Sequence, residues 1–333
     1  MNKVYTIILN YKTWQDTVEC IESVLKSDYA NYQIIIVDNA SSNDSLENIA
    51  QWLDGESSHK LSSSEKLEQY ILPISQKPIK YKHINEDEIN LITVDSEKII
   101  LIQANDNKGF SAGNNIGIKF AQRQNDFEYI WFLNNDTVVK PDTLLKLIEC
   151  KKVNNNQVGI IGSDLLFYHN PEIRQALGGK FCKYSAGFYE LGKYTKATSE
   201  TVQKIDYAIG ASMFVSKDFI EKVGLMNENY FLYYEEIDWS VRGRKKNFMT
   251  IACPSSIVYH KEGGTTHIKN KKNLAIEYYK YKNLLEFYKT FYKYLIPIAY
   301  LRLCIKMIKK TTLGDLDEAK LIFNVILGMK NEI

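Results

Sequence analysis

Four short apolar runs, each followed by a stretch of helical spacing, restrict what the first 150 residues of this chain can build. Val4–Leu9 precedes Thr13–Ser27, where Val18, Ile21, Val24 and Leu25 fall on one helical face. Tyr32–Val37 precedes a helix expected over Ser45–Leu53. Ile99–Ala104 precedes a glycine turn and a helix through Ile116, Ile118, Phe120 and Ala121. Tyr129–Leu133 precedes a helix carrying Leu144, Leu145, Leu147 and Ile148. Strands covered on both faces read as continuous apolar runs, and parallel neighbours need a crossover of helical length. The alternation predicts an α/β fold with a mostly parallel central sheet flanked by helices.

Asp54–Lys98 breaks this rhythm with Glu56-Ser57-Ser58-His59 and scattered apolar patches around Ile71, Ile79 and Ile92. A structureless loop of that length is rare within a compact domain, so a surface insertion with a strand or two of its own is expected. Beyond Val158 the pattern is irregular and glycine-rich. Asp206–Val215 reads as a strand and Lys217–Val223 as a short helix. After Thr266 the chain is helical, aromatic and basic. Three parts follow: 1–125, which carries the insertion 54–98, then 126–268, and a helical region 269–333.

Hydrophobic residues make up 45% of the chain and charged residues 25%, as in soluble globular proteins. Cys20, Cys150, Cys182, Cys253 and Cys304 form no CxxC pair, which predicts free thiols in a reducing compartment. The opening residues run straight into an apolar strand, so no secretory leader is expected. No apolar run reaches the roughly 20 residues of a spanning helix. A cytoplasmic protein is expected. Lys269–Lys310 holds eleven Lys or Arg against Glu277 and Glu286, a net +9 that leaves −7 on the rest of a +2 chain. Such asymmetry speaks of partners more than of fold. No nucleic-acid-binding module accompanies it, so no nucleic acid partner is expected.

Acids and amides collect where strands end. Asp38 leaves the second apolar run, where it could accept from a base imide or ribose hydroxyl, or make a local Asx turn. Asn107-Lys108-Gly109-Phe110, followed by Gly113-Asn114, is a turn whose small residues would let backbone amides approach a ligand. The buried run ending at Leu133 continues as Asn134-Asn135-Asp136. An acid there lies at the crevice where open α/β sheets bind ligands, and its hard oxygens suit a divalent ion carrying a diphosphate. Turn chemistry is the alternative. Glu235, Glu236 and Asp238 open a helix after largely aromatic residues. A glutamate against aromatic walls is disfavoured as an anion, which suits a general base near neutral pH, whereas Asp238 and Arg242 have ion-pair spacing. His260 follows an apolar strand and precedes Gly263-Gly264; it could ligate a metal or touch a phosphate, with His267 a weaker candidate.

Together, in this order and spacing, these motifs resemble glycosyltransferase family 2, and within it the rhamnosyltransferase-like branch of bacterial cell-surface polysaccharide enzymes. The likeness runs from Val4 to about Phe287 outside the insertion. It rests on Val37-Asp38-Asn39-Ala40-Ser41, Asn107–Phe110, Leu133–Asp136, Gly210-Ala211-Ser212-Met213, Glu235–Asp238 with Arg242, and His260. The resemblance implies a GT-A fold, Rossmann-like, and inverting transfer from a nucleotide-diphosphate sugar, dTDP-rhamnose or a UDP-sugar. Residues 1–125 would then bind the donor and 126–268 the metal and acceptor. Asn10, Tyr11, Asp38, Asn107, Lys108, Gly109, Asn114, Asn134 and Asn135 are implied on the donor side. Asp136 and His260 are implied to hold Mn²⁺ or Mg²⁺. Glu236 would be the base, with Asp238 ordering the acceptor or the helix, and Asp206, Gly210, Ala211, Glu235 and Trp239 would line the acceptor. The family's usual Glu-Asp pair reads Glu235-Glu236 here, so the base is one methylene longer.

Leu295–Ile308 is an apolar stripe flanked by Lys and Arg, too short and charged to span a bilayer. It suits peripheral contact with an anionic membrane, at the inner face of the cell membrane, where a polyprenyl-diphosphate-linked glycan acceptor would lie. It equally suits packing on the catalytic domain or on another subunit in a homo-oligomer. Two other functions remain open at this stage: a nucleotidyltransferase, though the glycine-rich phosphate loop is missing after the first strand, and a nucleotide-sugar-binding partner that has lost turnover.

Overall fold

The computed structural model describes residues 2–61, 64–93, 97–154, 157–197, 201–261 and 273–329. His267, the Gly263-Gly264 turn and the expected boundary at 268 lie outside them. The strands are β1 Val4–Asn10, β2 Tyr32–Asp38, β3 Tyr81–Asn85, β4 Ile99–Gln103, β5 Tyr129–Asn134, β6 Thr137–Val139, β7 Val158–Phe167, β8 Arg174–Ala176, β9 Gly179–Cys182, β10 Gly187–Glu190, β11 Gln203–Ile205, β12 Ser212–Ser216 and β13 Met249–His260. The helices are α1 Trp14–Leu25, α2 Ser45–Asp54, α3 Phe110–Gln124, α4 Thr143–Val153, α5 Lys217–Val223, α6 Glu235–Lys245, α7 Leu274–Phe291, α8 Ile296–Thr312 and α9 Leu316–Ile326.

One sheet runs β3-β4-β2-β1-β5-β12-β7-β13-β11, with β6 beside β13 and β8 beside β7. From β3 to β5 every pairing is parallel, and the strands are covered on both faces by two apolar clusters. β12 then enters antiparallel between β5 and β7, so the sheet is mixed. β13, the last of the described strands, lies inside the sheet between β7 and β11.

Register decides which side chains meet. Asn10 stands opposite Asp38, Leu9 opposite Asn134, and Asp38 opposite Gln103, so the carboxyl ends of β1, β2, β4 and β5 share one edge. On the other side His260 pairs with Thr137, the neighbour of Asp136.

The long interruption is partly built into the sheet. Tyr81–Asn85 is a parallel edge strand, and Leu67 and Ile71 are buried with Val138, Leu166, Tyr168 and Tyr259. Glu22, buried in α1, ties down the rest by accepting from Trp52 Nε1, the Ser75 amide and Lys77. Asp206–Val215 is a strand only from Ser212 onward; residues 206–211 are irregular and turn through Gly210, where Ser212 N–H reaches the Ile209 carbonyl. All five cysteines are free.

The small residues of α3 serve packing. A Cβ on Gly113 would meet Leu9 at 2.4 Å, and one on Gly117 would meet Ile7 at 2.8 Å. They bring α3 down onto β1 rather than opening its start to a ligand.

The C-terminal helices form a third layer. Tyr281, Leu284, Leu285, Phe287 and Tyr288 of α7 pack with Tyr234, Ile237 and Val241 around α6. Glu318 of α9, fully buried, is reached by Tyr281 OH and by Lys310 Nζ. No described helix is long and apolar enough to cross a membrane.

Candidate active site

At the sheet's carboxyl edge Asp38 is almost wholly buried. Its Oδ1 accepts from Asn10 Nδ2 at 2.6 Å, and its Oδ2 from the Ser41 amide at 2.8 Å and Gln103 Nε2 at 3.2 Å. Asn10 is fully buried as well; its Oδ1 accepts from Thr17 at 2.8 Å, so it positions Asp38 from behind. Asp38, Ser41, Ser45, His83 and Gln103 line a cavity of about 420 Å³, and Tyr11 is half-buried at the end of β1.

The turn before α3 is anchored twice. Asn39 Nδ2 donates to Asn107 Oδ1 at 2.9 Å and to the Gly109 carbonyl at 3.3 Å. Gly109 has φ +92°, and a Cβ there would lie 2.2 Å from the Phe231 carbonyl oxygen. Phe110 N–H donates to that same oxygen at 2.8 Å. The turn therefore bears directly on the loop leading into α6. Lys108 is exposed, 3.8 Å from Asp106, and Asn114 is buried with its amide on the Phe110 carbonyl.

In the Asn134-Asn135-Asp136 elbow the two amides differ. Asn135 Nδ2 points inward to Thr13 Oγ1 at 2.7 Å and Thr17 Oγ1 at 3.0 Å, so it locks β5 to α1. Asn134 N–H donates to the Ala211 carbonyl at 3.0 Å. Asp136 Oδ1 lies 3.2 Å from His260 Nε2, and His260 Nδ1 lies 2.9 Å from Gln175 Oε1. With Nδ1–H donating to the Gln175 oxygen, Nε2 turns its lone pair toward a carboxylate oxygen. Two electron-rich atoms that close call for a proton or a cation. Adjacent ligands on an octahedral Mg²⁺ or Mn²⁺ with bonds of about 2.1 Å stand about 3 Å apart. The pair fits such an ion, with the remaining positions left to phosphate oxygens and water. Among the described residues no third Asp, Glu, His or Cys joins it.

Gly210-Ala211 connects this elbow to the start of α6. Tyr233 and Tyr234 both have positive φ, +68° and +79°, and this sharp turn sets Glu235 and Glu236 at the helix mouth. Burial, followed by the Glu236 charge, holds the Glu235 carboxyl well above the usual carboxylate range, while backbone amides at 233 and 235 oppose this. Burial likewise pushes Glu236 up to about 7, against hydrogen bonds from its own N–H and from that of Gly210. Glu236 Oε2 has no partner among the described residues. A Cβ on Gly210 would lie 3.5 Å from Phe110 and 3.8 Å from Glu236 Oε1, so this glycine leaves the space between them open. Gly210-Ala211 thus links Glu236, Phe110 and Asn134 across three distant stretches of chain.

Trp239 and Asp206, expected at this site, do other work, and Asp238 orders its own helix, one of the two roles expected of it. Trp239 is fully buried between Phe132 and Phe219, its Nε1 on the Gly224 carbonyl; three residues beyond Glu236, it faces the core instead of the acceptor side. Asp238 accepts from Arg242 Nε at 2.5 Å and Asn227 Nδ2 at 3.3 Å, while Arg242 holds the carbonyls of Val223 and Leu225, a knot tying α6 to the preceding loop. Asp206 accepts from the Phe181 amide at 2.9 Å, and its carbonyl receives Arg244, so it fastens β9.

Gln103, Asn39 and Gln175 are the contributors that sequence reasoning passed over. Gln103 was visible in principle, as a polar residue closing an apolar run. Gln175 sits in an irregular stretch with no such signal.

A sequence model of "Glycosyl transferase family 2" matches residues 5–66 and 80–224. The match skips the centre of the insertion and stops before α6. The chain is 25% identical over 157 residues to the low-salt glycan biosynthesis hexosyltransferase Agl10 of Haloferax volcanii, covering 47% of this chain and 50% of that protein. It is 27% identical over 145 residues to the rhamnosyltransferase WbbL of Escherichia coli, covering 40% and 53% respectively. The chain thus spans about half the length of the curated relatives it matches. Among solved structures it resembles the mannosyltransferase PcManGT of Pyrobaculum calidifontis in complex with GDP-Man and Mn²⁺, with TM-score 0.53, 11% identity, and coverage of 98% of this chain and 86% of that one. It also resembles GalNAc-T7 with UDP, GalNAc and Mn²⁺, with TM-score 0.53, 15% identity, and coverage of 78% and 44%. At such identities the structural likeness speaks for the fold.

Proposed function

The chain belongs to glycosyl transferase family 2 and has a GT-A fold, and from that premise we propose that it moves a hexosyl unit from a nucleotide-diphosphate sugar to a hydroxyl of a glycan or lipid-linked glycan, with inversion. The observation that supports this reading is the Gly210-Ala211 link, which bonds to Glu236 on one side and to the Asn134–Asp136 elbow on the other, with Glu236 unpartnered at Oε2 and pushed up to about 7.

In this reading the donor's nucleoside lies along the Asp38–Gln103 edge and its diphosphate reaches toward Asp136 and His260. A bound Mn²⁺ or Mg²⁺ supplies the charge that stabilises the departing nucleoside diphosphate. Glu236, as carboxylate, takes the proton of the acceptor hydroxyl while that oxygen bonds to the anomeric carbon. The bond from that carbon to the diphosphate oxygen breaks as the new one forms. Glu236 then returns its proton to solvent. Gly210 keeps the approach clear, and Gln175 fixes the face that His260 presents. A single base opposite the leaving group gives one displacement and hence inversion. A rhamnosyl or other hexosyl donor is favoured by the likeness to WbbL and Agl10, and dTDP-rhamnose or a UDP-sugar is the form the family resemblance implies. A glycan or a polyprenyl-diphosphate-linked glycan in cell-surface polysaccharide synthesis is the acceptor.

Release of nucleoside diphosphate, measured with and without Mn²⁺ for the native chain and Glu236→Gln, tests this. Loss of about 10²- to 10⁴-fold is expected from the substitution. Undiminished turnover would reject Glu236 as the base. A thermal-shift series with dTDP, UDP and GDP identifies the nucleotide, since a ligand bound to the native state raises its stability.

A further inference from the structure

α8 is apolar on two opposite sides, and only one of them is used by the fold. Ala299 and Leu303 face inward to α7 and α9. On the far side Leu301, Ile305 and Ile308 are 59%, 59% and 60% exposed, within about 60° of one another around the helix. α9 repeats the arrangement: Leu316, Phe323 and, just past its end, Leu327 are exposed on the side away from its buried Leu321, Ile322 and Val325. Met307, Ile308, Ala319 and Phe323 line one shallow groove of about 430 Å³ between the two helices, so the stripes are a single apolar surface.

The charges around it are predominantly positive. Six Lys or Arg and no Asp or Glu lie between Glu286 and Asp315. Lys306 and Lys310 turn inward to Glu318, whereas Arg302 and Lys309 are exposed on the shoulder of the Leu301–Ile308 stripe and Lys320 is exposed on α9. Asp317 is the exposed acid of this helix pair. Arg302 also donates to the Ser185 carbonyl at 3.1 Å, which brings the β9–β10 turn to the edge of the surface with Tyr184 and Tyr189 exposed. Tyrosines beside an apolar face with a cationic rim are the composition of a surface lying in the headgroup layer. A protein partner of ordinary composition would not demand such an excess of cations; an anionic phosphate plane does.

We propose that the outer face of α8 and α9, with the β9–β10 turn at its edge, docks onto the surface of an anionic lipid bilayer without crossing it. The docked orientation sets the catalytic cleft close to the lipid. Phe188 of β10 touches the Tyr234 ring, 6.2 Å between centroids, and Tyr234 directly precedes Glu235 and Glu236. The benefit to a lipid-linked acceptor rests on the function proposed above, but the docking itself needs neither donor nor acceptor.

The test is sedimentation of the full chain with vesicles of phosphatidylglycerol and phosphatidylcholine in equal parts, against phosphatidylcholine alone. Binding to the anionic vesicles is expected, weakening as salt is raised. Ile305→Ser with Ile308→Ser and Phe323→Ser should reduce it by at least tenfold. Arg302→Ser with Lys309→Ser should reduce it roughly tenfold and abolish the preference for anionic lipid. Both variants should keep the native circular dichroism and the same thermal response to nucleotide. Absence of binding to either vesicle overturns the proposal. So does a native dimer in light scattering that the triple variant turns to monomer, because the face would then join two copies of the chain. Vesicle binding by a protein that releases no nucleoside diphosphate would leave docking standing and remove the transferase reading alone.

Discussion

Replacing Glu236 by Gln should make the protein more stable at alkaline pH while it destroys activity, and both effects come from one buried proton. Burial raises this carboxyl from an ordinary 4.5 to about 7. The folded chain therefore holds the proton more tightly than the unfolded chain. The resulting stabilisation is complete below about pH 4.5 and is lost as the pH rises through about 7. At about 1.4 kcal/mol for each tenfold change in proton affinity, the ionised side chain weakens the fold by about 3 kcal/mol at pH 8 relative to pH 4. Gln carries no proton to lose. Its stability gap over the native chain should open between pH 5 and pH 8, reaching a melting-temperature advantage of roughly 4 °C in a chain of this length. Over the same range log kcat/KM of the native enzyme should climb with unit slope and level off near pH 7, because only the carboxylate can accept the acceptor's proton. Paired melts and nucleoside diphosphate release at four pH values provide both curves. A melting gap that stays constant from pH 5 to pH 8 would refute the argument, since Glu236 would then titrate alike in folded and unfolded chains.

Gln175→Ala removes the partner of His260 Nδ1 and should weaken Mn²⁺ binding about 10- to 100-fold, measured by calorimetry or by the free-ion electron paramagnetic resonance signal. Unchanged affinity would mean that His260 is oriented by something else. Gly109→Ala forces a Cβ to within 2.2 Å of the Phe231 carbonyl at φ +92° and should cost about 3 kcal/mol or more in denaturant unfolding. Gly210→Ala meets only ordinary contacts, 3.5 Å from Phe110 and 3.8 Å from Glu236, so it should leave the melting temperature within a few degrees and raise KM for the acceptor. Asp38→Asn leaves an amide facing the Asn10, Ser41 and Gln103 donors and should lower both stability, by about 1–3 kcal/mol, and the thermal response to nucleotide. A native response to nucleotide would detach Asp38 from donor binding.

Strands buried on both faces announce themselves, which is why β1, β2, β4 and β5 could be read directly as apolar runs. β3 could not. Tyr81–Asn85 carries only one fully buried residue, Ile84, as befits an edge strand whose outer side meets water. The Asp206–Val215 stretch misled in the other direction: its apolar letters suggest one strand, but the chain turns at Gly210 and is a strand only from Ser212. At the site, acids at strand ends were legible because polarity there interrupts an apolar run. Trp239 was not, since an aromatic residue beside a functional acid has the same appearance whether it walls a cleft or fills a core. Gln175 is positioned by β8 pairing with β7 and by the buried Arg174–Asp164 ion pair, long-range contacts that no local pattern encodes.

The position of β13 has a consequence for how the protein comes into being. During synthesis, a chain that has emerged only as far as residue 248 has the Asp38–Gln103 edge and Asp136, but the slot beside β7 is still empty and His260 has not left the ribosome. Closing that slot means threading the final strand between two segments made earlier, a step dominated by contacts remote in sequence and therefore slow. Metal affinity should appear abruptly and late, after nucleotide affinity, so shortened products of the gene could sequester donor without turning it over.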